Sequence, residues 1–581
     1  MTGEEMRMPT RLNFSRERFS LPGLKRLRSY RSAWLRGDVI AGITVAAYLV
    51  PQCLAYAELA GVQPIAGLWA ILPPLLIYAL LGSSPQLSVG PESTTAVMTA
   101  AAIMPLVAGD SSNYASLCSL LALLVGSVCC VAAFARLGFL ADLLSKPILV
   151  GYMAGVAVIM IVGQLGKISG MSLKAESLFG QIGEFSGHLS EIHPPTLILA
   201  AAVLIFLLVV QRRFPNAPGP LLAVLLATSA VYLFDLNERG IAVIGEIPAG
   251  LPSLKVPRGF SSQQLVYLLS SAIGIALVGY SDNVLTARAF GAKNNYRIDG
   301  NQELLALGAV NIGNGIMQGF PVSSSGSRTA IGDSLGSRSQ LFSLVAFLIV
   351  ILVLLFLRPL LSLFPKPALG AIVIYAALRL IEISEFNRLR CFKTSEFRLA
   401  LVTMFGVLAT DILVGVGVAV GLSVVDLFTR LMRPHDAVLG EVPNLAGLHD
   451  IEDWQGATTI PGLVLYRYDA PLCFANAENF RKRVIAAIEA EKVPVEWFVL
   501  NAEAILDIDI TAVDMLKELH RELIGSGITF AMARVKQDLY QQLKKGDLSE
   551  TISTERIYPT LEEAIEAFHH RNPPPSSPAQ D

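Results

Sequence analysis

Two short polar stretches interrupt an otherwise apolar chain: LSVGPESTTAVMTAA around Pro91, and GFPVSSSGSRTAIGDSLGSRSQ at residues 319–340. In each, a proline and a cluster of hydroxyls precede an apolar run too short to cross a bilayer alone. Proline ends the preceding element by removing an amide donor. A helix that starts just after it exposes about four unpaired N–H groups and roughly +0.5 of a charge. Together these features bind anions. In the second stretch Ser323, Ser324, Ser325 and Ser327 offer hydroxyl donors and caps, Gly326 lets a ligand approach the backbone, and Arg328 adds a full positive charge. Ser93, Thr94 and Thr95 play the same part in the first. Capping and interhelical hydrogen bonding account for any one of these hydroxyls. An arginine at membrane depth is costly, however, and such residues are usually functional. The run is not a phosphate-binding P-loop, since no Gly-Lys-Ser/Thr follows it.

The elements that must position these residues are membrane helices. The 581 residues are 53% hydrophobic and 16% charged, with a mean hydropathy of +0.55, which favours a polytopic membrane protein over a soluble core. A span takes about 20 mostly apolar residues, and the region 39–431 offers about fourteen apolar segments. Residues 1–38 are polar, carry nine Lys or Arg between Arg7 and Arg36, and lack the apolar core of a signal peptide. That basic excess beside the first span places the N-terminus in the cytoplasm.

The apolar region reads as two repeats, about 39–235 and 264–429. YLVPQCLAYAELAG (48–61) aligns with GYSDNVLTARAFG (279–291), pairing Ala57 with Ala287 and Gly61 with Gly291, and the same offset pairs Pro91 with Pro321. LLSKPILVGYMAG (143–155) resembles LFPKPALGAIVIY (363–375). An odd number of spans per half inverts the second repeat, and interrupted spans in corresponding halves point to a midplane transport site. Glu58 and Arg288, matched across the repeat, offer a structural ion pair between the halves.

From 435 to 571 the composition is that of a small α/β domain. GLVLYRY (462–468), VEWFVLNA (495–502) and ITFAMARV (528–535) read as strands, with amphipathic helices at 477–491 and 511–523. Residues 572–581, a Pro/Ser-rich end, read as disordered. The six cysteines are scattered and read as small hydrophobes, and the spacing of the seven histidines supports no metal site. No cofactor and no nucleic-acid partner is expected, and no nucleophile-base pair suggests an enzyme.

PQCLAYAELAGVQPIAGLWA (51–70), SVGPEST (88–94) and SSGSRTAIGDSLGSRSQL (324–341), followed by the α/β domain, resemble the SulP family of inorganic anion transporters, the sulfate permeases, and in particular its mycobacterial type. The resemblance covers roughly residues 30–570. It implies fourteen spans as a seven-plus-seven inverted repeat, a core domain moving against a gate domain, a cytoplasmic STAS domain at 435–571, both termini in the cytoplasm, and a homodimer in the plasma (inner) membrane. It places the anion between the helix starts at Glu92-Ser93 and Ser327-Arg328, flanked by Gln52 and Asp282. The expected binding residues are Gln52, Glu92, Ser93, Thr94, Asp282, Ser324, Ser325, Gly326, Ser327 and Arg328. Two features depart from the family pattern. Glu92 stands where a small or apolar residue is common, and an acid there also complements the helix dipole. Asp509-Ile510-Thr511 replaces the Asp-Ser-Ser/Thr of related anti-sigma antagonists, leaving Thr511 beside Asp509 as the regulatory position.

Two helix dipoles and Arg328 sum to about +2, and ionised Glu92 and Asp282 would cancel it. A unit pair about 6 Å apart is worth roughly 3 kcal/mol at an effective dielectric near 20. Glu92 and Asp282 are therefore the candidates for taking up a proton with the anion, making transport a symport. Sulfate is the first substrate, with bicarbonate or a dicarboxylate behind it. The family's nucleobase-carrying fold relatives lack a STAS domain and the Ser-Gly-Ser-Arg run. A channel-like conductance, and a membrane-anchored signalling scaffold working through an unknown cytoplasmic partner of the STAS domain, are the alternatives.

Overall fold

The computed structural model describes residues 21–571 apart from 108–112, 140–144, 174, 176, 216, 247–249, 259 and 411. The basic segment up to residue 20 and the tail after 571 lie outside the described residues. The chain divides into two compact units, Met1–Ser423 and Val424–Asp581.

The first unit is helical. Its elements are α1 (Leu35–Leu59), α2 (Pro64–Ala70), α3 (Leu72–Leu81), β1 (Val89–Gly90), α4 (Ser93–Val107), α5 (Tyr114–Phe134), α6 (Lys146–Gly163), α7 (Leu165–Ser169), α8 (Pro194–Arg213) and α9 (Gly219–Leu233). The chain continues through α10 (Ser262–Lys293), α11 (Gly300–Ile316), β2 (Ser323–Ser324), α12 (Gly326–Ser334), α13 (Leu341–Phe356), α14 (Lys366–Leu380), α15 (Ile383–Phe392), α16 (Thr394–Ala409) and α17 (Ile412–Met432), whose residues from Val424 onward belong to the second unit. Among the described residues six helical stretches are long and apolar enough to cross a membrane: Ser32–Leu59, Tyr114–Phe134, Lys146–Ser169, Pro194–Arg213, Ser262–Lys293 and Lys366–Phe392. Four further apolar helical stretches are shorter. The segment 63–82, one span by hydropathy, breaks at Ile71 because Pro73 and Pro74 open a new helix. Pro51 sits inside α1, where it deprives the carbonyl four residues earlier of its donor beside Gln52.

Helices in a membrane pack through small residues. α5 and α11 meet at Gly126 and Gly308, where a Cβ on Gly126 would lie 2.6 Å from the Gly308 carbonyl oxygen. The Glu58–Arg288 pair expected from the repeat is not what Glu58 makes. Its carboxylate takes Lys167 Nζ of α7 at 3.1 Å.

The second unit holds six strands: β3 (Asp436–Val442), β4 (Leu445–Asp450), β5 (Leu463–Tyr468), β6 (Trp497–Asn501), β7 (Thr529–Ala533) and β8 (Ile557–Tyr558). Their order is β4-β3-β5-β6-β7-β8. The β4-β3-β5 portion is antiparallel and β5 to β8 parallel. The helices are α18 (Ala477–Glu489), α19 (Ile510–Gly525), α20 (Gln537–Lys545) and α21 (Leu561–Arg571). Strand periodicity sends Val464, Tyr466 and Tyr468 into a core with Phe480, Leu516 and Leu543, while Leu463 and Leu465 pack on the other face with Leu561 and Phe568. Three strands and the helices at 477–491 and 511–523 were legible in the sequence; the β3-β4 hairpin and β8 were not.

Candidate functional site

The two polar stretches meet. β1 and β2 pair antiparallel, with Val89 opposite Ser324 and Gly90 opposite Ser323, and Ser325 N–H donates to the Ser88 carbonyl at 2.9 Å. This short ribbon satisfies backbone groups that neither half could pair alone. α4 leaves one strand and α12 the other, in opposite directions, so their N-termini border one cavity of about 330 Å3. Its walls include Gln52, Glu92, Ser93, Thr94, Asp282, Ser324, Ser325, Gly326 and Ser327. A larger cavity of about 530 Å3, near Gln63, Trp69 and Lys255, includes neither the α4 nor the α12 start in its wall.

The two helix starts are built differently. The Glu92 carboxylate turns onto its own helix, accepting Thr94 N–H at 2.7 Å and the Ser93 hydroxyl. At α12, Ser325 Oγ accepts Arg328 N–H at 3.5 Å and lies 3.2 Å from Ser327 Oγ. The space over Gly326 is empty: an added Cβ would meet only Thr286 Oγ1, at 3.9 Å. Asp282 accepts the Ser324 hydroxyl at 3.4 Å. Gln52 is buried, and its Oε1 has no hydrogen-bond partner.

Arg328 does not line the cavity. It is fully buried and crosses behind the ribbon, where Nη1 donates to the Pro91 carbonyl at 2.9 Å and Nε to Ser88 Oγ at 3.3 Å. Thr329, next in sequence, accepts Ser88 N–H at 3.0 Å. The α12 arm thereby holds the backbone leading into α4.

The cavity also includes residues the sequence reading passed over: Tyr56, Met153, Thr286, Tyr375, Arg379 and Glu382. Two of these carried a usable signal, since Tyr56 follows Gln52 and Thr286 follows Asp282 by one helical turn on the same face. The cavity reaches the surface beside Arg379 and Glu382, both exposed. At the opposite end of α14, Lys366 shares a separate cavity with Glu58 and Lys167.

In the second unit Asp509 is the N-cap of α19. Its carboxylate accepts Ala512 N–H at 2.9 Å and Phe474 N–H at 2.6 Å. Thr511 is exposed in the first turn. Among the described residues no group of three or more His, Cys, Asp or Glu could hold a metal ion.

Paired half-helices around one polar cavity, together with a separate α/β unit, define a membrane transporter of the SLC26-like fold with a STAS domain. Murine Solute Carrier 26 family member A9, an anion transporter solved in an inward-facing state, matches with a TM-score of 0.86 over 97% of each chain at 22% identity. The sulfate permease family profile matches residues 35–403 and the STAS profile residues 456–564. A probable sulfate transporter of Mycobacterium tuberculosis is 52% identical over 550 residues, 95% of this chain and 98% of its own. A probable sulfate transporter of Arabidopsis thaliana is 32% identical over 564 residues, 94% of this chain and 83% of its own. The chain belongs to the sulfate permease family.

Proposed function

We propose that this chain is a secondary active transporter that moves a small inorganic oxyanion, sulfate first, together with protons. The observation that carries the reading is the single cavity shared by two half-helix N-termini and two facing carboxyl residues, Glu92 and Asp282. The anion sits over Gly326, where the backbone leaves open space and the start of α12 and the residues Ser324, Ser325 and Ser327 border the cavity. Gln52 of α1 and Ser93 and Thr94 of α4 complete its shell. Arg328 contributes charge from behind the ribbon and fixes the two arms relative to each other.

A dianion entering this cavity meets Glu92 and Asp282 beside the helix starts as well as Glu382 at the exposed end, and like charges in a confined site repel by several kcal/mol. A proton taken up by Glu92 or Asp282 removes one of those repulsions, which couples anion entry to proton entry. When its proton is on, Glu92 also yields its hold on Thr94 N–H, adding a second helix start to the anion's shell. Alternating access then exposes the loaded site on the other side. In this reading the protein is a homodimer in the plasma (inner) membrane with both termini cytoplasmic, and its STAS domain receives a cytoplasmic partner near Asp509 and Thr511.

The test is uptake of radiolabelled sulfate into proteoliposomes holding the purified protein, with and without an inward proton gradient. Saturable uptake raised by the gradient is the expected result. Uptake of bicarbonate or a dicarboxylate without sulfate would change the substrate and keep the scaffold, whereas uptake of none of them overturns the transporter reading.

A further inference from the structure

Three carboxyl residues, Glu92, Asp282 and Glu382, line the cavity, and one cationic side chain, Arg379, does so. Arg328, the cation the sequence brings forward, does not line the cavity: its Nε and Nη1 are taken by Ser88 and the Pro91 carbonyl behind the ribbon, and its Nη2 is buried without a hydrogen-bond partner among the described residues. Arg379 lies in the last turn of α14, and no ion pair joins it to another described residue. An arginine at a span's end commonly extends toward the headgroup region with its stem along apolar surface. Arg379 does something else. Its guanidinium lies 5.9 Å from the centre of the Tyr375 ring, one helical turn earlier. The Tyr375 hydroxyl donates to Gln211 Oε1 of α8 at 2.6 Å, so the ring beneath the guanidinium is anchored to a neighbouring helix. Tyr375 and Arg379 are one helical turn apart on α14, Glu382 follows just past its end, and all three border the same cavity as Gln52 and Gly326.

We propose that Arg379 is the specificity-determining cation of this site. Its guanidinium pairs with an oxyanion seated over Gly326 and selects a tetrahedral dianion over a planar monoanion. The inference rests on the transport reading above and adds to it the group that reads the substrate. A guanidinium presents two parallel N–H donors to two oxygens of one anion, a match that an ammonium lacks. A dianion gains twice the charge interaction of nitrate or bicarbonate from the same contact. Tyr375 is a positioning residue, holding the fork in one orientation.

The experiment is equilibrium binding of radiolabelled sulfate to the purified full-length protein, with nitrate and bicarbonate as competitors, for wild type, Arg379→Ala, Arg379→Lys and Tyr375→Phe. Thermal unfolding checks that each variant is folded. Arg379→Ala weakens sulfate binding about thirtyfold and Arg379→Lys several-fold, on the scale of a lost charge-assisted pair. In both variants the competing potency of nitrate relative to sulfate rises. Tyr375→Phe, which loses the hydroxyl that anchors the ring to Gln211 and also contacts Arg379, raises the sulfate dissociation constant about twofold to threefold. Should Arg379→Ala fail to fold, the selectivity of Arg379→Lys decides. Wild-type affinity and selectivity in the folded arginine variants overturn the inference and leave the transport reading intact. Equal weakening for sulfate and nitrate also overturns it, because Arg379 would then act as a general charge. Failure of the wild type to bind sulfate removes both readings.

Discussion

The half-helices α4 and α12 leave the same two-stranded ribbon and border the same cavity, yet their first turns are finished in different ways. α4 carries its own anion: Glu92 folds back on Thr94 N–H and the Ser93 hydroxyl. α12 keeps open space above Gly326. Duplication supplies two equivalent dipoles, and a single side chain makes them unequal. In the function proposed above, one start serves a proton-accepting group and the other receives the substrate. The N-terminus of α19 in the STAS domain is a third case, where the Asp509 carboxylate caps its own helix and also takes the Phe474 amide.

The most damaging change to this arrangement is Arg328→Ala. It removes two hydrogen bonds from a buried cation, each worth about 1.5–3 kcal/mol, so the unfolding temperature falls and sulfate uptake is lost. An unchanged unfolding temperature would mean that the two arms are held by something else. Gly326→Val comes next: it fills the space over α12, lowering sulfate uptake by about a hundredfold while thermal unfolding stays near wild type, as expected where an apolar group blocks an anion seat. Normal uptake by that variant would remove the contrast between the two helix starts.

Glu92→Gln has a smaller and different effect. On the proposed symport, wild-type uptake rises as the pH on the entry side falls. In Glu92→Gln this acid stimulation, several-fold in the wild type, flattens, and Ser93→Ala leaves it in place. If the stimulation persists in Glu92→Gln and disappears in Asp282→Asn, the proton site moves to α10. Asp509→Ala is the control and has the least consequence. Loss of an N-cap costs about 1 kcal/mol, seen as a lower unfolding temperature of the STAS domain, with sulfate uptake unaltered.

Much of this was legible because it is written in prolines, hydroxyls and periodicity. Pro91 and Pro321 mark the two half-helices, and nine of the ten expected binding residues line the cavity. The direction of the Arg328 side chain was not legible. Composition shows that a charge lies at membrane depth, but its reach to the Pro91 carbonyl depends on a ribbon formed by residues more than two hundred positions apart. Arg379 was obscured for another reason: at the end of an apolar run it looks like any residue bordering the membrane. Only the fold shows that α14 brings it to the same cavity as Glu92 and Asp282. The β3-β4 hairpin escaped notice because β4 is largely exposed and lacks the apolar alternation of the strands that were found.

The ribbon between Val89-Gly90 and Ser323-Ser324 makes the two halves of the membrane unit mutually dependent. Each half contributes one strand, and the two strands run antiparallel. Either half alone would leave those amides and carbonyls without the partners they have here. Neither half therefore completes its backbone hydrogen bonding until both are in place, which makes this join a late event in the assembly of the fold.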